Sequence, residues 1–285
     1  MFESIIVPLD GTPEAEVALG PAVELIARQS GTLALLSVTG SDEGVAARER
    51  YLMEVAERLE VTANAVALVA GRPGAAIAGY AADHGPALVC MASHGQGRLA
   101  TALFGSVTTE VVRAGVAPVL VVGPQYLASP KPWSEVVVPL DGSANAAAAV
   151  PVATALADVI GAPLQLVEVL DPDQPQVMDD AEIAADVLED AMLRRVAQGL
   201  RAGGVEAEWE VLHDRSPAKG LHRYLTGLER PLVVMATHGR TGLAVATAGS
   251  VATALVHDAT YPVVLIRPTE LVGTDTDPST SSSRG

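Results

Sequence analysis

The chain has 285 residues, a formal net charge of −16, 49% hydrophobic residues and only 3% aromatic residues. This acidic balance argues against a nucleic-acid partner and against an anionic membrane surface, because both are bound by clusters of lysine and arginine. Cys90 is the only cysteine, which excludes an internal disulfide and is typical of a protein in a reducing cytosol. We therefore expect a cytoplasmic protein with an aliphatic core.

The N-terminal residues 1–10 predict a strand and not a signal peptide, because they lack a basic segment and contain an acid at Glu3. The longest uncharged stretch, Thr241–Val256, is rich in Ala, Gly and Thr and is shorter than the roughly 18 apolar residues of a membrane helix. Neither segment predicts contact with a membrane.

Four continuous apolar runs occur in each half of the chain and predict parallel strands that are covered on both faces. In chain order they are Ser4–Leu9, Leu33–Val38, Ala87–Ala92 and Pro118–Val122, then Val136–Leu140, Leu164–Val169, Leu232–Ala236 and Pro262–Ile266. A fifth strand in each half, Ala63–Ala67 and Val205–Val211, alternates apolar and polar residues, which is typical of a sheet edge with one solvated face. Helices are expected between the strands, with Thr12 and Ser143 as N-caps of the first helix of each half.

The motifs of the first half recur in the second. Ile5–Gly11 recurs as Val136–Gly142 at an offset of 131, and Met91–Gly95 recurs as Met235–Gly239 at an offset of 144. The extra residues of the second half are expected in the loop at 171–180. Each half therefore predicts a doubly wound parallel α/β sheet with strand order 3-2-1-4-5.

The last strand of each predicted sheet would form a flat, apolar edge, which invites pairing with another strand. We expect the two edges, Pro118–Val122 and Pro262–Ile266, to cover each other, so that the chain forms an intrachain pseudo-dimer. The predicted organisation is domain 1 at 1–124, a linker at 125–134, domain 2 at 135–268 and a disordered tail at 269–285.

A ligand site is expected where the winding of each sheet reverses, beyond the carboxyl ends of the first and fourth strands. Asp10 follows the first strand, His94 and Gly95 follow the fourth, and Gly105-Ser106 open the next helix. The free amides and the dipole at such a helix start favour an anion. The pattern predicts a phosphate-binding site.

The glycine spacing resembles the nucleotide-binding motif G-x2-G-x9-G-[S/T] of the universal stress protein family. The resemblance spans about residues 1–268 and implies an adenine-nucleotide α-hydrolase-like fold that binds one ATP, with Mg²⁺ arriving on the nucleotide, in each half. The first glycine of the motif is replaced by Ala92 and Ala236. The remaining motif positions are Gly95, Gly105 and Ser106 in the first half and Gly239, Gly249 and Ser250 in the second.

The resemblance implies that Asp10 and Asp141 approach the adenine and ribose, and that Val38 and Val169 present a backbone edge to the base. Arg98 and Arg240, at different positions of their loops, are each expected to neutralise phosphate charge, with a solvated loop charge as the alternative. The cofactor-binding residues predicted for the first half are Pro8, Asp10, Val38, Ala92, His94, Gly95, Arg98, Gly105, Ser106 and Val107. Those predicted for the second half are Pro139, Asp141, Val169, Ala236, His238, Gly239, Arg240, Gly249, Ser250 and Val251.

Three functions stay open at this point. The first is an ATP-binding stress-response module that signals to unknown protein partners, with homodimerisation of the tandem undecided. The second is a weak ATPase or an enzyme that phosphorylates its own Ser106 or Ser250. The third is a nucleotide-free interaction protein in which Ala92 and Ala236 mark lost binding. No P-loop, zinc-ligand or nucleophile motif is present, and we predict no catalytic or metal-ligating residue.

Overall fold

The computed structural model describes residues 2–93, 104–173, 190–238 and 249–268. Its strands are β1 Ser4–Pro8, β2 Thr32–Thr39, β3 Asn64–Val69, β4 Ala87–Ala92, β5 Val119–Val122, β6 Glu135–Leu140, β7 Leu164–Leu170, β8 Ala207–His213, β9 Pro231–Ala236 and β10 Val263–Ile266. Its α-helices are α1 Pro13–Glu16, α2 Leu19–Ile26, α3 Val45–Arg58, α4 Pro73–Asp83, α5 Ser106–Ala114, α6 Ala144–Ala147, α7 Val150–Ile160, α8 Ala191–Ala202, α9 Pro217–Thr226 and α10 Ser250–Asp258.

The strands form one sheet in the order β3-β2-β1-β4-β5-β10-β9-β6-β7-β8. Within each half every pairing is parallel, which confirms the predicted 3-2-1-4-5 order. The halves meet where β5 pairs with β10 in antiparallel fashion, with Leu120 opposite Val264. The prediction that the two apolar edges cover each other is confirmed.

Helices cover both faces of the sheet because the side chains of each central strand alternate between two apolar layers. Ile5 and Val7 of β1 belong to the layer beneath α2, α3, α7 and α8, whereas Ile6 belongs to the layer beneath α4, α5, α9 and α10. All three side chains are fully buried. The low aromatic content is therefore compensated by aliphatic side chains packed on two faces.

Proline divides the first helix of each half into two short helices. Pro21 and Pro151 lack the amide hydrogen that would bind the carbonyl four residues earlier, and their rings crowd that carbonyl. The carbonyls concerned belong to Val17, just after α1, and to Ala147, the last residue of α6. The interruption lies about one turn before each proline.

The outermost strands β3 and β8 are only partly buried, as their alternating sequences predict. Both strands begin later than predicted, at Asn64 and Ala207, because their pairing with β2 and β7 begins at these residues. Most of the predicted loop insertion at 171–180 and the predicted tail at 269–285 lie outside the described residues. The domain boundaries stay a prediction. None of the helices in the described ranges combines the length and apolarity that crossing a bilayer requires.

Candidate nucleotide-binding clefts

A cleft of about 360 Å³ opens at the carboxyl ends of β1 and β4, at the position predicted from the reversal of winding. Most of the side chains that line this cleft, apart from the predicted site residues, are apolar, including Leu36, Ile77 and Met91. The structure brings together in this cleft the predicted residues Pro8, Asp10, Val38, Ala92, Gly105, Ser106 and Val107.

The carboxylate of Asp10 shapes the turn between β1 and α1. Its Oδ1 accepts hydrogen bonds from the backbone amide of Thr12 at 3.0 Å and from the Thr12 hydroxyl at 2.6 Å. Thr12 in turn caps α1 by accepting from the amide of Ala15. Gly11 has a φ of +89°, a conformation that favours glycine. Asp10 therefore forms an Asx turn.

The start of α5 forms the other side of the cleft. The amide of Gly105 binds the carbonyl of Ser93 at 2.6 Å, and the hydroxyl of Thr108 binds the carbonyl of Ala92 at 3.0 Å. Because a helix leaves its first amides without an intrahelical acceptor, the amides of Ser106, Val107 and Thr108 are available at this end. The helix dipole adds a partial positive charge at the same place.

Arg48 of α3 is a cleft residue that sequence analysis missed. The side chain is half-buried, and its Nη1 donates to the backbone carbonyl of Asp10 at 2.8 Å. No carboxylate of the described residues forms an ion pair with it. Arg48 lies in the first turn of a helix that carries three arginines and three glutamates, and no sequence motif distinguishes it from the other two arginines.

The second half contains a matching cleft of about 270 Å³ at the ends of β6 and β9. Here too the surroundings are mainly apolar, with Leu140, Val167 and Leu221 in the wall. The predicted residues that line it are Pro139, Asp141, Val169, Ala236, His238, Gly249, Ser250 and Val251.

The turns of the second cleft repeat those of the first. Oδ1 of Asp141 accepts from the amide and the hydroxyl of Ser143 at 3.0 and 2.6 Å. The amide of Gly249 binds the carbonyl of Thr237 at 2.5 Å, and a Cβ at Gly249 would lie only 3.1 Å from that oxygen. Nδ1 of His238 lies 3.0 Å from the hydroxyl of Thr237. The glycine thus permits the close approach of the strand end to the helix start.

The alanines that replace the first motif glycine fit the strands in which they lie. Ala92 is the last residue of β4 and pairs with Val122, and Ala236 is the last residue of β9 and pairs with Ile266. A residue in an extended strand needs no positive φ, so a Cβ causes no backbone strain there. Both alanines line their clefts.

Five of the predicted site residues lie outside the described residues. They are His94, Gly95, Arg98, Gly239 and Arg240. Within the described ranges, no three His, Cys, Asp or Glu side chains come together as a metal site would require.

The repeated sheets and paired clefts define a class: a tandem of two doubly wound units with the adenine-nucleotide α-hydrolase-like fold, each with a cleft at its switch point. The family model for universal stress proteins matches residues 1–123 and again 132–267. The chain belongs to the universal stress protein family.

Known proteins resemble the chain in sequence and in structure. A universal stress protein of Mycobacterium tuberculosis is 32% identical over 191 residues, which cover 63% of this chain and 61% of that protein. A second one from the same organism is 30% identical over 196 residues, covering 64% of this chain and 59% of that protein. The match thus spans less than two thirds of the length of these relatives. The crystal structure of a universal stress protein from Archaeoglobus fulgidus superposes with a TM-score of 0.67 at 19% identity, covering 94% of this chain and 97% of that one, which shows a shared fold.

Proposed function

We propose that the chain binds ATP, one molecule in the cleft of each half, and acts as a stress-response module whose nucleotide state alters contacts with protein partners. The proposal rests on one arrangement of residues that occurs in both halves of the chain. In both halves a helix start entered through glycine faces the end of the first strand across a mainly apolar cleft. A cytosolic location is part of the proposal and fits the single, buried Cys90.

The start of α5 suits the phosphates of such a ligand. Three backbone amides and the hydroxyl of Ser106 can donate to phosphate oxygens, and hydrogen bonds to charged groups contribute about 1.5–3 kcal/mol each. Gly105 has no side chain to obstruct this approach. The start of α10, with Gly249 and Ser250, has the same composition.

The strand ends suit the base and the ribose. Val38, Leu36 and Ile77 line the first cleft with aliphatic surface, against which an adenine ring can be buried. Asp10 lies at the adjoining turn, where its Asx hydrogen bonds to Thr12 fix the carboxylate in place. An Asx turn and a contact with a ribose hydroxyl are compatible, because an ionised carboxylate has about four acceptor positions.

Calorimetric titration with Mg-ATP tests the proposal. The paired variant Gly105→Asp and Gly249→Asp places a carboxylate at each helix start. Gly105 has φ −59° and ψ 155°, which aspartate adopts readily, and aspartate is a favourable N-cap, so the fold should tolerate this change in the first half. We expect Mg-ATP affinity to fall at least about tenfold, because phosphate and carboxylate repel each other.

The control carries the same two added charges elsewhere. Gly79 and Gly199 are exposed helix residues, and a Cβ at either would meet no atom within 4 Å. Gly79→Asp with Gly199→Asp should keep the wild-type affinity. If the two paired variants bind Mg-ATP equally well, the clefts are not the nucleotide sites.

Turnover distinguishes the proposal from the enzymatic alternative. A binding module should hold ATP without linear release of ADP, and mass spectrometry of ligand released from heat-denatured protein should identify adenine nucleotide. ADP release that disappears when Ser106 and Ser250 are both changed to alanine would establish the autophosphorylating enzyme instead. A protein that neither retains nor binds nucleotide would be the interaction protein of the third hypothesis.

A further inference from the structure

The two clefts differ in charge, although the same Asx turn occurs in both. In the sheet, β3 of the first half and β8 of the second are aligned at an offset of 144, since Ala65 and Trp209 occupy the same place in the register. In α3 and α8 the core-facing residues match at an offset of 141, since the buried Leu52 corresponds to the buried Leu193. The counterpart of Arg48 is then position 189, which is a glutamate outside the described residues, and the sequence has no Arg or Lys between 171 and 193. The guanidinium of the first cleft thus has no counterpart at the matching position of the second half.

The other charged groups that line the two clefts leave this difference in charge unchanged. Among the described residues, the first cleft is lined by one carboxylate, Asp10, and one cation, Arg48. The described lining of the second cleft contains the carboxylate of Asp141 and the imidazole of His238, but neither Arg nor Lys. Both carboxylates are held in the same Asx geometry, so Arg48 is the principal distinction among the described residues.

Arg48 retains donors for a ligand. A guanidinium has five N–H donors, and one nitrogen of Arg48 binds the carbonyl of Asp10. The cation is half-buried and forms no ion pair within the described part of the chain, in a protein whose net charge is −16. Beside apolar surface such a cation attracts an anion more strongly than it would in water. Together with the amides of α5, it gives the first cleft two independent groups for negative charge.

We propose that Arg48 makes the first cleft the tighter site for an anionic adenine nucleotide, and that the second cleft, whose described lining contains neither Arg nor Lys, binds the same ligand more weakly. This inference rests on the proposed function and adds an order of occupancy to it. Nucleotide at low concentration fills the first half before the second.

Titrations of the full chain with Mg-ATP and with adenosine test the inference. Arg48→Met removes the positive charge and keeps an unbranched aliphatic side chain. We expect its Mg-ATP affinity in the tight phase to fall roughly tenfold to hundredfold, because a charge-assisted hydrogen bond is lost. Adenosine carries no phosphate, so its affinity should stay within about twofold, which also verifies that the cleft is intact. Arg48→Lys keeps the charge and should restore part of the lost affinity.

Arg50→Met is the matched control, since Arg50 is an exposed residue of the same helix and does not line the cleft. It changes the net charge equally and should leave the wild-type titration unchanged. Two equal Mg-ATP sites in the wild type, an unchanged affinity in Arg48→Met, or an equal loss for ATP and adenosine would overturn the inference and leave the proposed function standing. A wild-type chain that binds neither ligand would overturn both.

Discussion

An ion pair between the two halves allows a quantitative test of how the tandem is held together. Arg230, in the loop between α9 and β9, forms two bonds of 2.6 and 3.1 Å with the carboxylate of Glu24 in α2. Its guanidinium also donates to the carbonyl of Lys131 and lies 4.1 Å from the centre of the Trp133 ring. The side chains of Arg230 and Glu24 are only 10% and 22% exposed, so water screens this pair weakly.

The expected cost of Arg230→Met follows from that burial. Removing one partner of a buried pair costs about 3–5 kcal/mol, because the other charge stays behind without compensation. The lower end applies here, since Glu24 is partly solvated and keeps Arg28 at 3.5 Å as a second partner. We expect a loss of about 3 kcal/mol. At roughly 2 °C per kcal/mol for a chain of this size, the melting temperature should fall by about 6 °C.

Thermal unfolding followed by circular dichroism measures this loss, and a neighbouring pair supplies the control. Lys131 and Glu229 also form a salt bridge, but their side chains are 60% and 62% exposed. Exposed pairs contribute about 0–1 kcal/mol, so Lys131→Met should lower the melting temperature by about 2 °C or less. Equal shifts for Arg230→Met and Lys131→Met would refute the argument from burial.

Three further predictions concern single residues. Burial raises the pKa of the Cys90 thiol, so iodoacetamide should leave the native protein unmodified and alkylate it fully in guanidinium. Gly11→Ala and Gly142→Ala should each cost about 1–2 kcal/mol in denaturant unfolding, because φ is +89° and +79°. Only Gly11→Ala should also weaken Mg-ATP binding, since its Cβ would lie 2.9 Å from Arg48 Nη1, whereas nothing lies within 4 Å at Gly142. Ser143→Ala removes the cap of α6 and should cost about 1 kcal/mol in the same unfolding assay.

The sheet could be predicted from the sequence because its signals are local and repeated. Buried parallel strands are continuous apolar runs, and each run occurs twice, at an offset of 131 or 144 residues. The floor of the first cleft follows from the same signals, since Asp10 follows β1 and Ala92 ends the adjacent strand β4. The antiparallel contact of Leu120 with Val264 could be anticipated because an apolar edge requires a cover.

Contacts made by polar side chains that lie far apart in the sequence could not be predicted in this way. Arg48 reaches the carbonyl of Asp10 only because α3 packs with a particular rotation against the sheet, and helical periodicity does not fix that rotation for a lone charged residue. Glu24 and Arg230 are 206 positions apart and belong to no motif. Such pairs depend on how complete elements dock, which the spacing of residues along the chain does not encode.

The antiparallel junction of β5 with β10 reverses the strand direction between the halves. The carboxyl ends of the first five strands therefore point away from those of the last five, and the two clefts open at opposite ends of the strands. Under the proposed function, a rigid partner that covers one cleft would leave the other accessible from the far side. Two partners could then dock at the same time without touching, and each would respond to the nucleotide in its own cleft.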